Sequence, residues 1–170
     1  AGQRVGFGEV VGKILPAGAM DGVALGAPVP AVPPPAGVVS TRFRLHSYWR
    51  SSSSWRVRLA LASKGISYEY VPVDLFVLAG NNVQRLPAEF SEKNPLDQVP
   101  VLEIINTNTD GSESVTQLTQ SLPIIEYLDE MYPGAARLLP SDPLQRARCR
   151  QISEIVNSGI QPLQNLSVLR

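Results

Sequence analysis

The strongest constraint on the fold is the order in which the hydrophobic period changes between residues 41 and 131. Residues 43–48 alternate apolar and polar side chains, the pattern of a strand. Over 55–64 the pattern lengthens to that of a helix. Val57, Ala60, Leu61 and Lys64 share one face, and Gly65 stands where a helix stop belongs. A second strand is predicted at 68–73, then a loop with a short helix near 88–93. Strands at 101–105 and 115–118 flank NTNTDGSES, whose Asp110-Gly111 is a hairpin signal. A helix follows at 122–131. Two strands separated by a crossover helix must be parallel, and two joined by a short turn antiparallel. The order β-α-β, loop-helix, β-β-α therefore describes one small α/β domain over 41–133.

The flanks read differently. Residues 1–40 are rich in Gly, Ala, Val and Pro and show no period, and they end in VPAVPPPAGVVS. Three consecutive prolines favour an extended polyproline conformation. A disordered extension is the expectation. An organelle-targeting segment is the alternative, although Ser40 and Arg4 are its only serine and arginine. Residues 134–142 form a linker containing Pro and Gly. From Pro143 a helix is predicted through 158, with Leu144, Ala147, Arg148, Ile152, Ile155 and Val156 broadly on one side, so 143–170 begin an all-helical region. The fold class is α/β plus all-α.

Lys and Arg together number 15 and Asp and Glu 15, so nothing in the balance points to nucleic acid or an anionic membrane. His46 is the only histidine and Cys149 the only cysteine, which disfavours a Ser-His-Asp triad, a cysteine-rich zinc site and an internal disulfide. No apolar run reaches the ~18 residues of a membrane span.

Four stretches carry candidate chemistry. In YWRSSSSWRVRLAL, four serines sit between a strand and a helix, where free N–H groups and the helix dipole attract anions. Capping accounts for one of them, Ser52 or Ser53; the other hydroxyls can donate to a bound anion. In NPLDQVPVL, Pro100 precedes a strand. A trans proline at the strand edge is the ordinary reading; a cis bond would present the Val99 backbone to an extended peptide. In TQSLPII, Gln120 and Ser121 precede a helix. They read as a cap, or as a polar pair suited to a carboxylate. In GIQPLQNLS, Pro162 breaks a helix unusually dense in Gln and Asn.

Taken in order, SSxSWRVR, NPxxQVPVL, QSxxIIEYLDExYP and IQPLQNLSVL resemble the zeta class of glutathione transferases, the maleylacetoacetate isomerases. The resemblance covers residues 42–170. It implies a thioredoxin-like N-terminal domain followed by the start of a glutathione-transferase helical domain, most of which is absent here, and a homodimer at full length. It implies glutathione as cofactor, with Ser51 and Ser52 catalytic near its sulfur and Ser53 beside them. It further implies a cis Pro100, Val99 pairing its backbone with the cysteinyl part, and Gln120 and Ser121 holding the γ-glutamyl end. Gln161, Asn165 and Ser167 would line the site from the helical region, and Gln84 would contact glutathione from the loop. Arg56 is a candidate for a substrate carboxylate, and a surface or interdomain ion pair is its plainer role. Cys149 reads as a packing residue.

The sequence departs from the family pattern in having Ser53 where cysteine is usual and a hairpin, 106–114, several residues longer. The implied activity is glutathione-dependent isomerisation of maleylacetoacetate to fumarylacetoacetate in tyrosine and phenylalanine breakdown, in the cytoplasm unless residues 1–40 target an organelle. The alternatives are glutathione transfer to α-haloacids or other small electrophilic acids, and a glutathione-binding domain without catalysis.

Overall fold

The computed structural model describes residues 32–73 and 88–164. Its elements are β1 (Val38–Ser47), α1 (Ser52–Ser63), β2 (Glu69–Pro72), α2 (Ala88–Lys93), β3 (Val101–Asn108), β4 (Glu113–Thr119), α3 (Ser121–Met131) and α4 (Pro143–Glu154). A π-helical segment, Ile155–Ile160, and a 3-10 turn, Gln161–Gln164, continue α4. The strands form one mixed sheet in the order β2-β1-β3-β4, with β1 and β2 parallel and the other pairs antiparallel. This is a thioredoxin-like sheet with helices, and the predicted strand directions hold.

Strand periodicity splits the interior into two layers. Phe43 and Leu45 of β1 and Leu102 and Ile104 of β3 face α1 and α3, where Val57, Ala60, Leu61, Ile124 and Leu128 complete the main core. The alternate positions face α2, where Val73, Val101 and Phe90 form a smaller cluster. Residues 101–105 of β3 are buried on both faces, as expected of a central strand.

α1 ends as its glycine predicts. Gly65 has φ 64°, its N–H bonds Ala62 O at 3.1 Å, and Ile66 N–H bonds Leu61 O at 2.9 Å, the double bond of a Schellman cap. The last position of the apolar stripe, Lys64, is 2% exposed. Its Nζ lies 2.8 Å from Asp129 Oδ1 and donates to the carbonyls of Tyr132 and Ala136. Asp129 in turn accepts from the N–H groups of Leu138 and Leu139. One buried ion pair thus ties α1, α3 and the linker together.

Three boundaries differ from the sequence expectation. β1 starts at Val38, inside the stretch read as an extension, because residues 38–42 pair with 105–108 of β3. β3 and β4 reach to Asn108 and back from Glu113, so the turn is only Thr109 to Ser112. Asp110 Oδ1 closes that turn by accepting from Ser112 N–H and Oγ–H, and Gly111 has φ 82°. Apart from Val38 and Val39, the added strand residues are polar, and together they carry no hydrophobic period. The helix predicted to 158 leaves α geometry at Ile155. Among the described residues no helix is long and apolar enough to cross a membrane.

Candidate active site

Sheet register brings three of the four candidate stretches to one end of the sheet. His46 of β1 pairs with Val101 of β3, and Val101 pairs with Thr119 of β4. The chain beyond β1 is the serine run, the chain before β3 is Val99-Pro100, and the chain after β4 is Gln120-Ser121. All three therefore emerge side by side, although the paired positions 46 and 101 are 55 apart in sequence and 101 and 119 are 18 apart.

The serine run is built around Ser51, which has extended backbone and whose Oγ accepts from Ser54 N–H at 3.1 Å. The cap is therefore Ser51 and not Ser52 or Ser53. The helix starts at Ser52, three residues before the predicted position 55, because the serines of its first turn carry no apolar period. Ser51 N–H bonds Tyr48 O and Trp55 N–H bonds Ser51 O, fixing the residue from both sides. Its oxygen is engaged as an acceptor, so its one proton remains free to donate. Ser52 is exposed and Ser53 half-buried. Ser54 is fully buried, and its Oγ has no partner among the described residues. Arg58 braces the loop from below, donating to Ser47 Oγ at 2.7 Å and to the carbonyls of Tyr48 and Trp49.

Before β3, Asn94 is buried and organises its own loop, donating to Gln98 O at 2.7 Å and accepting from Leu96 N–H. Val99 is half-buried, and the Val99-Pro100 bond is cis. The resemblance implied this bond geometry, whereas the residues alone favoured trans.

Before α3, Gln120 has φ 67° and ψ 123°, and its side chain makes no capping bond. The capping role expected from TQSLPII is not made. A bulky residue at positive φ costs on the order of 1–3 kcal/mol and is held only when its surroundings require it. Here the turn from edge strand into helix sets it, leaving the N–H groups at the start of α3 open, with Ser121 buried among them.

Arg56 is engaged on two sides. Its Nη1 donates to Asn157 Oδ1 at 2.7 Å and its Nη2 to Ser53 Oγ at 3.0 Å. The ion pair expected as its plainer role is not made: the contact is a hydrogen bond to an amide in the segment that follows α4. Gln161 is half-buried in the turn that follows. Gln84, Asn165 and Ser167 lie outside the described residues. Sequence reasoning missed Asn157 altogether, since an isolated Asn in a helical stretch carries no pattern.

The histidine lies elsewhere. His46 is buried on the α2 face of the sheet, its ring 6.0 Å from that of Phe90 and its Nε2 3.4 Å from Glu103 Oε1. Burial pushes its imidazole below the usual value, against the opposing pull of Glu103. Burial pushes Glu103 up, but hydrogen bonds from Lys93 and Arg44 outweigh it and hold the carboxyl below its ordinary value. That cluster is structural, tying β1, β3 and α2. Among the described residues no group of three or more His, Cys, Asp or Glu could hold a metal ion.

The model of the glutathione S-transferase N-terminal domain matches residues 45–136, which include all three stretches at the sheet end. The chain belongs to the glutathione S-transferase family. Its relatives within the family include maleylacetoacetate isomerases. The Mus musculus enzyme of that name is 52% identical over 126 residues, covering 74% of this chain and 52% of the mouse protein. The Dictyostelium discoideum one is 47% identical over 125 residues, covering 74% and 51%. A crystal structure of maleylacetoacetate isomerase from Anaeromyxobacter dehalogenans 2CP-1, with bound glutathione in its active site, superposes with a TM-score of 0.59 at 47% identity, covering 76% of this chain and 55% of that one. The same bacterial enzyme has been solved with dicarboxyethyl glutathione and citrate bound. This chain spans about half the length of the curated relatives it matches.

Proposed function

We propose that this chain carries the glutathione-binding half of an isomerase that converts maleylacetoacetate to fumarylacetoacetate. The observation that carries the reading is the convergence at one sheet end of Ser51, with its hydroxyl proton free, the cis Val99-Pro100 bond and the open start of α3.

The residues fit glutathione. A bound peptide needs an extended backbone partner, offered at Val99, and a carboxylate site, offered by the N–H groups at Gln120 and Ser121. Its thiol, with an ordinary pKa of about 8.5, is only roughly 3% ionised at pH 7. Lowering that value by two units takes about 2.7 kcal/mol. One hydrogen bond to an anion contributes about 1.5–3 kcal/mol and a helix terminus about 0.3–1 kcal/mol. Ser51 and Ser52, at the start of α1, can supply both without any base, so the site needs no histidine. Glutathione supplies a sulfur nucleophile that adds to the cis double bond and leaves again after rotation, so it is not consumed. The family resemblance adds Gln84, Gln161, Asn165 and Ser167 to this proposal as further glutathione contacts. A cytoplasmic homodimer is the setting proposed for the full-length protein, with a small electrophilic organic acid as the second partner.

The test is product analysis with maleylacetoacetate, with and without glutathione. Fumarylacetoacetate forming only when glutathione is present is the expected result. Absence of that product, with S-conjugates forming from α-haloacids, would move the assignment to glutathione transfer. Glutathione binding with neither product would leave a binding domain.

A further inference from the structure

Arg56 can only donate hydrogen bonds, and the structure gives it two neutral oxygens, Oδ1 of Asn157 and Oγ of Ser53. The three residues form a chain from the π-helical segment to the first turn of α1, with Arg56 and Asn157 101 positions apart in sequence. No carboxylate neutralises this half-buried guanidinium among the described residues, and burial alone pushes its pKa down. It therefore presents its full charge to the serine it binds. Because the Ser53 oxygen is taken as an acceptor, its proton must point away from Arg56. Asn157 itself sits in the one segment after α4 where helical geometry widens, with Gln161 N–H bonding Val156 O five residues back. Such π segments are rare and concentrate at functional sites.

We infer that Asn157 and Arg56 are positioning residues that aim the Ser53 hydroxyl proton at the glutathione sulfur, so that the helical segment tunes the anion site of the α/β domain. This rests on the glutathione reading above. It gives Ser53, which replaces the family's usual cysteine, a donor role that supplements Ser51. It also makes the two parts of the chain interdependent through one polar chain.

The test is a double-mutant cycle on the full chain, read by the ultraviolet absorbance of bound glutathione thiolate against pH. Calorimetry with glutathione is run first for each variant. Asn157→Ala, Arg56→Met and Ser53→Ala are each expected to raise the bound thiol's pKa by about one unit, a tenfold loss of thiolate well below it. Asn157→Ala combined with Ser53→Ala is expected to do no more than either alone. A purely structural contact would change melting temperature and leave the thiol titration in place, which would overturn the inference. Additive shifts in the double variant would overturn it as well. Wild-type protein that binds no glutathione would overturn the glutathione reading and this inference with it. Normal binding with an unmoved thiol in Asn157→Ala would overturn the positioning role alone.

Discussion

Leu102 in β3 and Ile152 in α4 are both aliphatic residues in regular structure, yet Leu102 is fully buried and Ile152 is 64% exposed. The contrast holds for the regions they belong to. The α/β domain closes around Phe43, Leu45, Leu61, Leu102, Ile124 and Leu128, whereas α4 and the turns after it bury no residue. Among the described residues, polar contacts tie the helical segment to the rest. Arg150 grips Glu126 of α3 through two bonds of 2.9 and 2.7 Å, and Arg56 holds Asn157. Apolar burial is strong and non-directional, so it builds a scaffold. Single hydrogen bonds between partly or fully exposed groups are weak and directional, so they set an orientation without adding much stability.

The largest effects should come from the scaffold. Leu102→Ala should cost about 2–5 kcal/mol, read as a lower denaturation midpoint. Lys64→Met should cost about 3–5 kcal/mol, because it strands the Asp129 carboxylate that the lysine neutralises. Retention of wild-type stability by either variant would mean that the main core does not hold the domain together.

Next in size is Ser51→Ala. Loss of a cap costs about 1 kcal/mol of stability, while loss of a donor to a developing anion costs about 100-fold or more in turnover. Activity should therefore fall far more than stability; parallel losses would reduce Ser51 to a cap.

Acid should also loosen the scaffold. Burial pushes Asp129 up, but Lys64 and the Leu138 and Leu139 N–H groups hold it below its ordinary value of 3.8. A carboxylate depressed in the folded state contributes stability that is full above that ordinary value and is lost as pH falls through the lower folded one. In Asp129→Asn this acid-sensitive part should disappear from a plot of stability against pH, and an unchanged plot would contradict the pairing. The smallest effects should be those of α4. Arg150→Ala should lower the melting temperature slightly, and less at high salt. Ile152→Ala should stay within about 0.5 kcal/mol of wild type.

Much of the scaffold was legible because burial writes a period into sequence. Val57, Ala60 and Leu61 on α1 and the strands through Phe43, Leu45 and Leu102 were all readable, as was the Gly65 stop. The polar ends of β1, β3 and β4 were not, because their exposed side chains follow no hydrophobic alternation. The stretches at the sheet end could be singled out as candidates, but their meeting depends on strand register, which only the fold supplies. The choice of Ser51 as cap turned on where α1 begins, and four identical neighbours hide that boundary. The Arg56–Asn157 bond depends on a helix leaving α geometry, for which a lone Asn gives no local signal.

The central claim is that the start of α1 is an anion site whose serine hydroxyls hold glutathione as a thiolate. The most direct measurement is the pH titration of bound glutathione in wild type and in Ser51→Ala, at saturating glutathione. In wild type the thiol should ionise well below its ordinary value of about 8.5. In Ser51→Ala the midpoint should move back by about one to two units, the equivalent of one hydrogen bond to a charged group. Identical midpoints in the two proteins, or a wild-type midpoint at the value of free glutathione, would contradict it.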